Sequence, residues 1–174
     1  MEEFTRALTT IIKSGNVRKN PSTFRGNLDG APQDAKDLID AMTTRSYRVD
    51  LGAFDMWAPS SMGEALWDVS ETVEQSVDML GTSVEEAVPG FDATKTVLLT
   101  ADSGGNSMIA ISWGRGALEG VVIEHADPTM ENVVQFFTSS EAFIAFFDKC
   151  NEWPVLAAGR AGGLATIKAT ITGA

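Results

Sequence analysis

The chain is poor in the residues that build metal and redox chemistry. Among its 174 residues it has one histidine (His125), one cysteine (Cys150) and one tyrosine. A lone thiol cannot form an internal disulfide, and one histidine with one cysteine cannot assemble a His/Cys metal cage. No metal and no cofactor is therefore expected. No apolar run approaches the roughly 18 residues of a membrane span, and the opening MEEFTRALTT is acidic where a secretory signal would be basic and then apolar. Asn20-Pro21-Ser22 carries proline at the position that excludes N-glycosylation. These absences give the expectation of a cytoplasmic protein with no membrane segment. Basic residues are scarce too, with 13 Lys and Arg against 24 Asp and Glu.

What is present suits a packed fold. Hydrophobic residues make up 44% and charged residues 21%, near the globular average, which excludes a disordered or fibrous chain. One domain over 1–174 would bury roughly 70% of its unfolded surface and needs no staple. The net charge of −11 is unevenly placed. Residues 1–60 hold eight charges of each sign, and residues 151–174 carry Arg160 and Lys168 against Glu152. Residues 61–150 hold three basic residues (Lys95, Arg115, Lys149) against fifteen acidic ones. Such a field repels phosphates, so no nucleic-acid partner is expected, and it draws in a basic protein surface. The plain alternative is charge that only keeps the chain in solution.

The hydrophobic pattern predicts a helix over 1–14, with Phe4, Leu8, Ile11 and Ile12 on one stripe and Gly15 as its stop. Residues 16–30 have no apolar period and read as a long connection. A second helix follows Pro32, with Asp29 as candidate cap and Ala35, Leu38, Ile39 and Met42 as its apolar face. Tyr47, Val49 and Leu51 alternate as a half-buried strand, and the change of phase to Phe54 and Met56 marks a bulge or bend after Gly52. Ser61 and Glu64 form a capping box ahead of Ala65, Leu66 and Val69, and Val73, Val77 and Leu80 carry the helical spacing to Gly81. Ser83 and Glu86 repeat the box before Pro89-Gly90. Residues 64–86 thus read as one or two helices with acidic outer faces.

From residue 96 the period falls to two. Strands are expected at 96–101, 107–113, 121–125 and 133–138, joined by the Asp102–Asn106 turn, a Gly114–Gly120 turn and a polar loop holding Asp127-Pro128. Ser139 or Ser140 caps a helix with Phe143, Ile144, Phe146 and Phe147 on its apolar side. Consecutive strands with short turns make an antiparallel meander of four to six strands; helices before and after it make the fold class α+β. The core is placed at about residues 30–150. In the 151–174 extension, 157–163 reads as flexible. There the alternation of Ala165, Ile167, Ala169 and Ile171 fits either an edge strand or a partner-docking arm.

Catalytic motifs are thin. Asp102-Ser103-Gly104-Gly105 mimics the nucleophile loop of chymotrypsin-like proteases, but His125 follows the serine where that fold places its histidine first. A hairpin turn already accounts for Asp, Ser and two Gly. Ser103 with His125 is kept as one alternative reading, a small hydrolase. Gly114-x-Gly116-x-x-x-Gly120 misses the dinucleotide spacing and precedes a strand. Asp127 and Glu131 beside His125 make a weak ligand set. No two of the middle-segment acids stand out as an acid–base pair. Trp57, Trp67, Trp113 and Trp153 read as core or rim packing.

The succession TVLLTADSGGN, SMIAISW, VVIEHAD and FFTSSEAFIAFF, over Thr96–Cys150, resembles the SUKH superfamily (Smi/Knr-like), a group of immunity proteins and fungal cell-wall regulators. A fainter likeness runs through APQDAKDLIDAM and YRVDLGAFDMW. There Ala31-Pro32 replaces the family's Leu-Pro, and Thr43-Thr44-Arg45-Ser46 stands where Asn-Gly would. The resemblance implies an antiparallel sheet flanked by helices and a non-enzymatic role, with no catalytic residues to carry over. The role implied is that of an immunity protein neutralising a cognate toxin domain, with a nuclease as candidate class. The expected mechanism is occlusion of a basic surface by Glu71, Glu74, Asp78, Glu85 and Glu86 with Asp102 and Asp127. A regulatory or scaffold module of the same fold is the alternative. No oligomeric state follows from these patterns.

Overall fold

A computed structural model describes residues 1–58, 65–66, 69–79, 81–101, 107–124, 134–151 and 162–173. The first stripe forms helix α1 (Glu2–Lys13), with Phe4, Leu8 and Ile12 fully buried and Ile11 at its margin. Residues 16–30, expected to be only a connection, contain strand β1 (Thr23–Phe24) and a bridge from Val17 to Arg45. Helix α2 (Gln33–Thr44) buries Ala35, Leu38, Ile39 and Met42 as the pattern required. Its cap differs from the expected one: Pro32 holds the N-cap position with no side-chain hydrogen bond, and Asp29 instead gives its backbone N–H to Asn27 Oδ1 at 2.8 Å. Arg6 Nε reaches both carboxylate oxygens of Asp34 at 3.1 Å, tying α1 to α2.

Strands β2 (Arg48–Asp50) and β3 (Asp55–Trp57) are the two arms of a hairpin in which Val49 faces Met56. Of the expected bulge or bend, the change of apolar phase therefore marks the bend, a full chain reversal. Gly52 has φ 79° and Ala53 keeps a negative φ, the requirement of a type II′ turn. Strand β4 (Ala65–Leu66) corrects a second expectation. These residues do not open a helix; they pair in parallel with Thr23 and Phe24. Helix α3 (Ser70–Met79) starts after them, and α4 (Val84–Ala87) follows the predicted Ser83–Glu86 box. The Ser61–Glu64 box and Leu80 lie outside the described residues.

After a 3-10 turn at Ala93–Lys95 come β5 (Thr96–Ala101), β6 (Ser107–Ser112), β7 (Glu119–Glu124) and β8 (Val134–Phe137). They form one four-stranded antiparallel sheet in sequence order, so the fold is α+β with the expected meander. Alternation along each strand divides the core in two. Val97, Leu99, Ile109, Ile111, Val122 and Phe137 join the cluster of α1 and α2, together with α5 (Ser140–Asn151) and α6 (Gly162–Thr172). Leu98, Met108, Ala110, Val121, Ile123, Val134 and Phe136 join a second cluster with Val69, Val73, Val77, Val88 and Phe91. Helices thus cover both faces.

The first face is rich in aromatic rings. Phe143 lies 4.9 Å from Phe4 and 5.0 Å from Phe147, centroid to centroid, at near edge-to-face angles. Such contacts each add about 1 kcal/mol beyond area burial. The C-terminal segment is helix α6, not a strand or extended arm. Leu164 and Ile167 are buried while Ala165 and Ala169 are exposed, so the burial follows a helical period. Lys168 Nζ donates to Asp148 at 2.8 Å and fastens α6 to α5.

Candidate protein-binding face

α3 and α4 make the outer layer over the second sheet face. Val73 and Val77, one turn apart, point to the sheet, which turns Glu74 and Asp78 outward into exposed positions. These two carboxylates are an i,i+4 pair of like charge, which costs an isolated helix about 0.2–0.5 kcal/mol. On α4, Ser83 Oγ accepts from the Glu86 backbone at 3.3 Å, and Glu86 Oε2 accepts from Ser83 N at 3.3 Å. Thr82 Oγ1 also donates to Glu86 Oε2 at 2.7 Å. That hydroxyl first, then the Ser83 groups, hold the Glu86 carboxyl below its ordinary range. Glu86 is thus committed to its own helix start and Glu85 is left exposed beside it.

Four of the seven acids assigned from sequence therefore lie in one layer: Glu74, Asp78, Glu85 and Glu86. Glu71 lies on α3, one turn before Glu74, and its side chain is not among those described. Asp102 and Asp127 lie outside the described residues, as do Ser103, His125 and Glu131. Between Arg48 and Lys95 the sequence holds no basic residue. Among the described residues no ion pair reaches Glu74, Asp78, Glu85 or Glu86. The layer is anionic and uncompensated from within.

No family model, no curated protein and no solved structure matches the chain. Among the described residues there is no group of three metal-ligating side chains, and no helix is long and apolar enough to cross a membrane.

Two features lie beyond the seven assigned acids, and the first of them escaped the sequence reading. Glu119 sits in the second cluster's layer with its side chain only 6% exposed, 3.6 Å from Arg115 Nε. Arg115 stacks over the Phe136 ring with Cζ 3.9 Å from the centroid. The i,i+4 spacing of Arg115 and Glu119 across a Gly-containing turn was the available signal. The other is Trp57, which is 60% exposed and lies under Arg48 at 4.4 Å, opposite it in the hairpin register. It takes the rim option for tryptophan, whereas Trp113 is buried and takes the core option.

Proposed function

We propose that this chain is a non-catalytic binding module of the SUKH type, an immunity protein that occludes the basic surface of a toxin domain. The observation that carries this reading is the α3–α4 layer, with Glu74, Asp78 and Glu85 exposed, no basic residue in the layer and an apolar seam fixing its orientation. A cationic surface docked there relieves the Glu74–Asp78 repulsion and is steered by the net charge of −11. The antiparallel meander β5–β8 followed by the aromatic helix α5 stands in the order of the segments that carry the resemblance, which supports the same reading.

The test is co-purification with the product of the adjacent gene, comparing wild type with Glu74→Lys/Asp78→Lys. Reversal at these rim positions is expected to weaken binding at least tenfold, mainly through slower association, with a steep loss at high salt. Capture unaffected by both the reversal and the salt would remove the acidic layer from the interface.

A further inference from the structure

The charge of the chain is segregated as well as unbalanced. Two runs hold no acid: residues 11–28 carry Lys13, Arg18, Lys19 and Arg25, and residues 41–49 carry Arg45 and Arg48. Backbone hydrogen bonds bring the runs together. Arg18 N donates to the Thr44 carbonyl, Ser22 N to that of Thr43 and Ser46 N to that of Asn16, each at 2.8 Å. Val17 bridges Arg45, and Gly15, just after α1, leaves no room for a Cβ against the Ser46 carbonyl. The six basic residues thus gather at one corner. Arg18 Nη1 donates to Ser22 Oγ and Arg45 Nη1 to the Gly15 carbonyl, whereas Lys13, Lys19, Arg25 and Arg48 are exposed. Asp40, Asp50 and Asp55 border the corner, Asp55 lying 3.8 Å from Arg48, and leave it a net positive charge. Apolar surface coincides with it. The exposed large hydrophobics among the described residues are Val17 (71%), Leu28 and Trp57. The first two lie in the longer acid-free run, and Trp57 stands opposite Arg48.

We propose that this corner docks peripherally on an anionic lipid bilayer. Lys13, Lys19, Arg25 and Arg48 meet headgroup charges, and Val17 and Trp57 enter the interfacial zone. Charge and apolar exposure together select this occupant. A nucleic-acid strand would use the cations and one stacking ring, but it offers nothing to aliphatic Val17 and Leu28. A bilayer interface takes indole and aliphatic groups along with Lys and Arg. The acidic layer does not oppose this docking, because it lies across the sheet: α1 and α2 pack on the first cluster, α3 and α4 on the second. Helix, sheet and helix set the two regions roughly 20 Å apart, beyond two Debye lengths of about 8 Å at physiological salt. The excess negative charge is therefore largely screened where the corner meets the membrane. Binding is weak and reversible, each cation near the surface contributing about fivefold in partition. The inference stands independently of the immunity reading.

The experiment is co-sedimentation of the full chain with vesicles of phosphatidylcholine alone or with about 30 mol% phosphatidylserine, at about 0.1 and 0.5 M NaCl. The expected result is binding to the phosphatidylserine vesicles only, lost at the higher salt. A blue shift of tryptophan emission accompanies it and is missing in Trp57→Phe. Lys19→Gln/Arg25→Gln, both at exposed positions, is expected to lower partition about 25-fold with the circular-dichroism melt unchanged. Wild type that ignores both vesicles, or binds both alike, overturns the proposal. So does binding that a folded Lys19→Gln/Arg25→Gln retains in full, or a blue shift that persists in Trp57→Phe. If the double variant fails to fold, the lipid and salt dependence of wild type decides alone. Capture of a single-stranded oligonucleotide with no capture of vesicles overturns it in favour of nucleic acid at the same corner.

Discussion

Glu119 is a buried carboxylate whose counter-charge comes from four residues away, on a side chain that is itself 40% exposed. The asymmetry makes the two ends of the pair unequal. Arg115→Ala leaves an uncompensated charge in the sheet layer and is expected to cost about 3 kcal/mol. Glu119→Gln removes the charge and keeps the shape, and Arg115 turns to water, for about 1 kcal/mol. Urea unfolding midpoints of the two variants check the order. Glu86 gives a pH signature. Its folded pKa lies below the ordinary 4.5 because Thr82 and Ser83 hydrogen-bond the ionised form. The stabilisation is therefore complete above about pH 4.5 and is lost as pH falls through the lower folded value. A loss of exchange protection at the Ser83 amide, which donates to that carboxylate, below that pH and absent as a pH step in Glu86→Gln, is the expected observation. The Ser83–Glu86 box was legible because it is a local four-residue pattern; the burial of Glu119 was not, because it depends on its place in the sheet opposite Ser112 of β6.

Among the elements, α6 shows how a pattern can satisfy two periods. Ala165, Ile167, Ala169 and Ile171 alternate, yet Leu164, Ile167 and Ile171 also repeat at three and four, and the packed surface of α1, α5 and β2 chooses the helix. Its approach to β2 depends on Gly163. A Cβ there would lie 2.7 Å from the Asp50 carbonyl oxygen and 2.6 Å from Val49 Cγ1, and a carbonyl on a paired strand cannot give way. Gly163→Ala is expected to displace α6 and cost about 1–3 kcal/mol, read as a lower melting temperature with exchange protection lost in 162–173. β4 is the opposite case. Ala65 and Leu66 carry no alternation, and their strand character comes from Thr23 and Phe24, some forty residues earlier. The meander strands and α5 were legible because each holds its own period and its own turn residues.

At the scale of the whole molecule, charge and packing act in opposite directions. Two apolar clusters on one sheet hold together a chain whose net charge of −11 pushes outward. Raising salt from low to physiological strength is expected to raise the melting temperature, by about 2–4 °C for each kcal/mol of repulsion screened. The same change is expected to loosen any basic partner on α3–α4, so a joint titration separates stability from binding. Calorimetry with salt held as the only variable checks the first, and the rate of association checks the second. The primary sequence by itself determined the α+β class, the meander order, the core stripes of α1 and α2 and the acidic character of residues 61–150. Those properties follow from periods and compositions contained within single segments. Only the tertiary structure decided that 65–66 pair as a strand, that 162–172 coil as a helix, that Glu119 is buried, and that Glu74, Asp78, Glu85 and Glu86 share one layer. Each of these depends on which distant backbone or side chain satisfies a hydrogen bond or fills a space, and no local period carries that information.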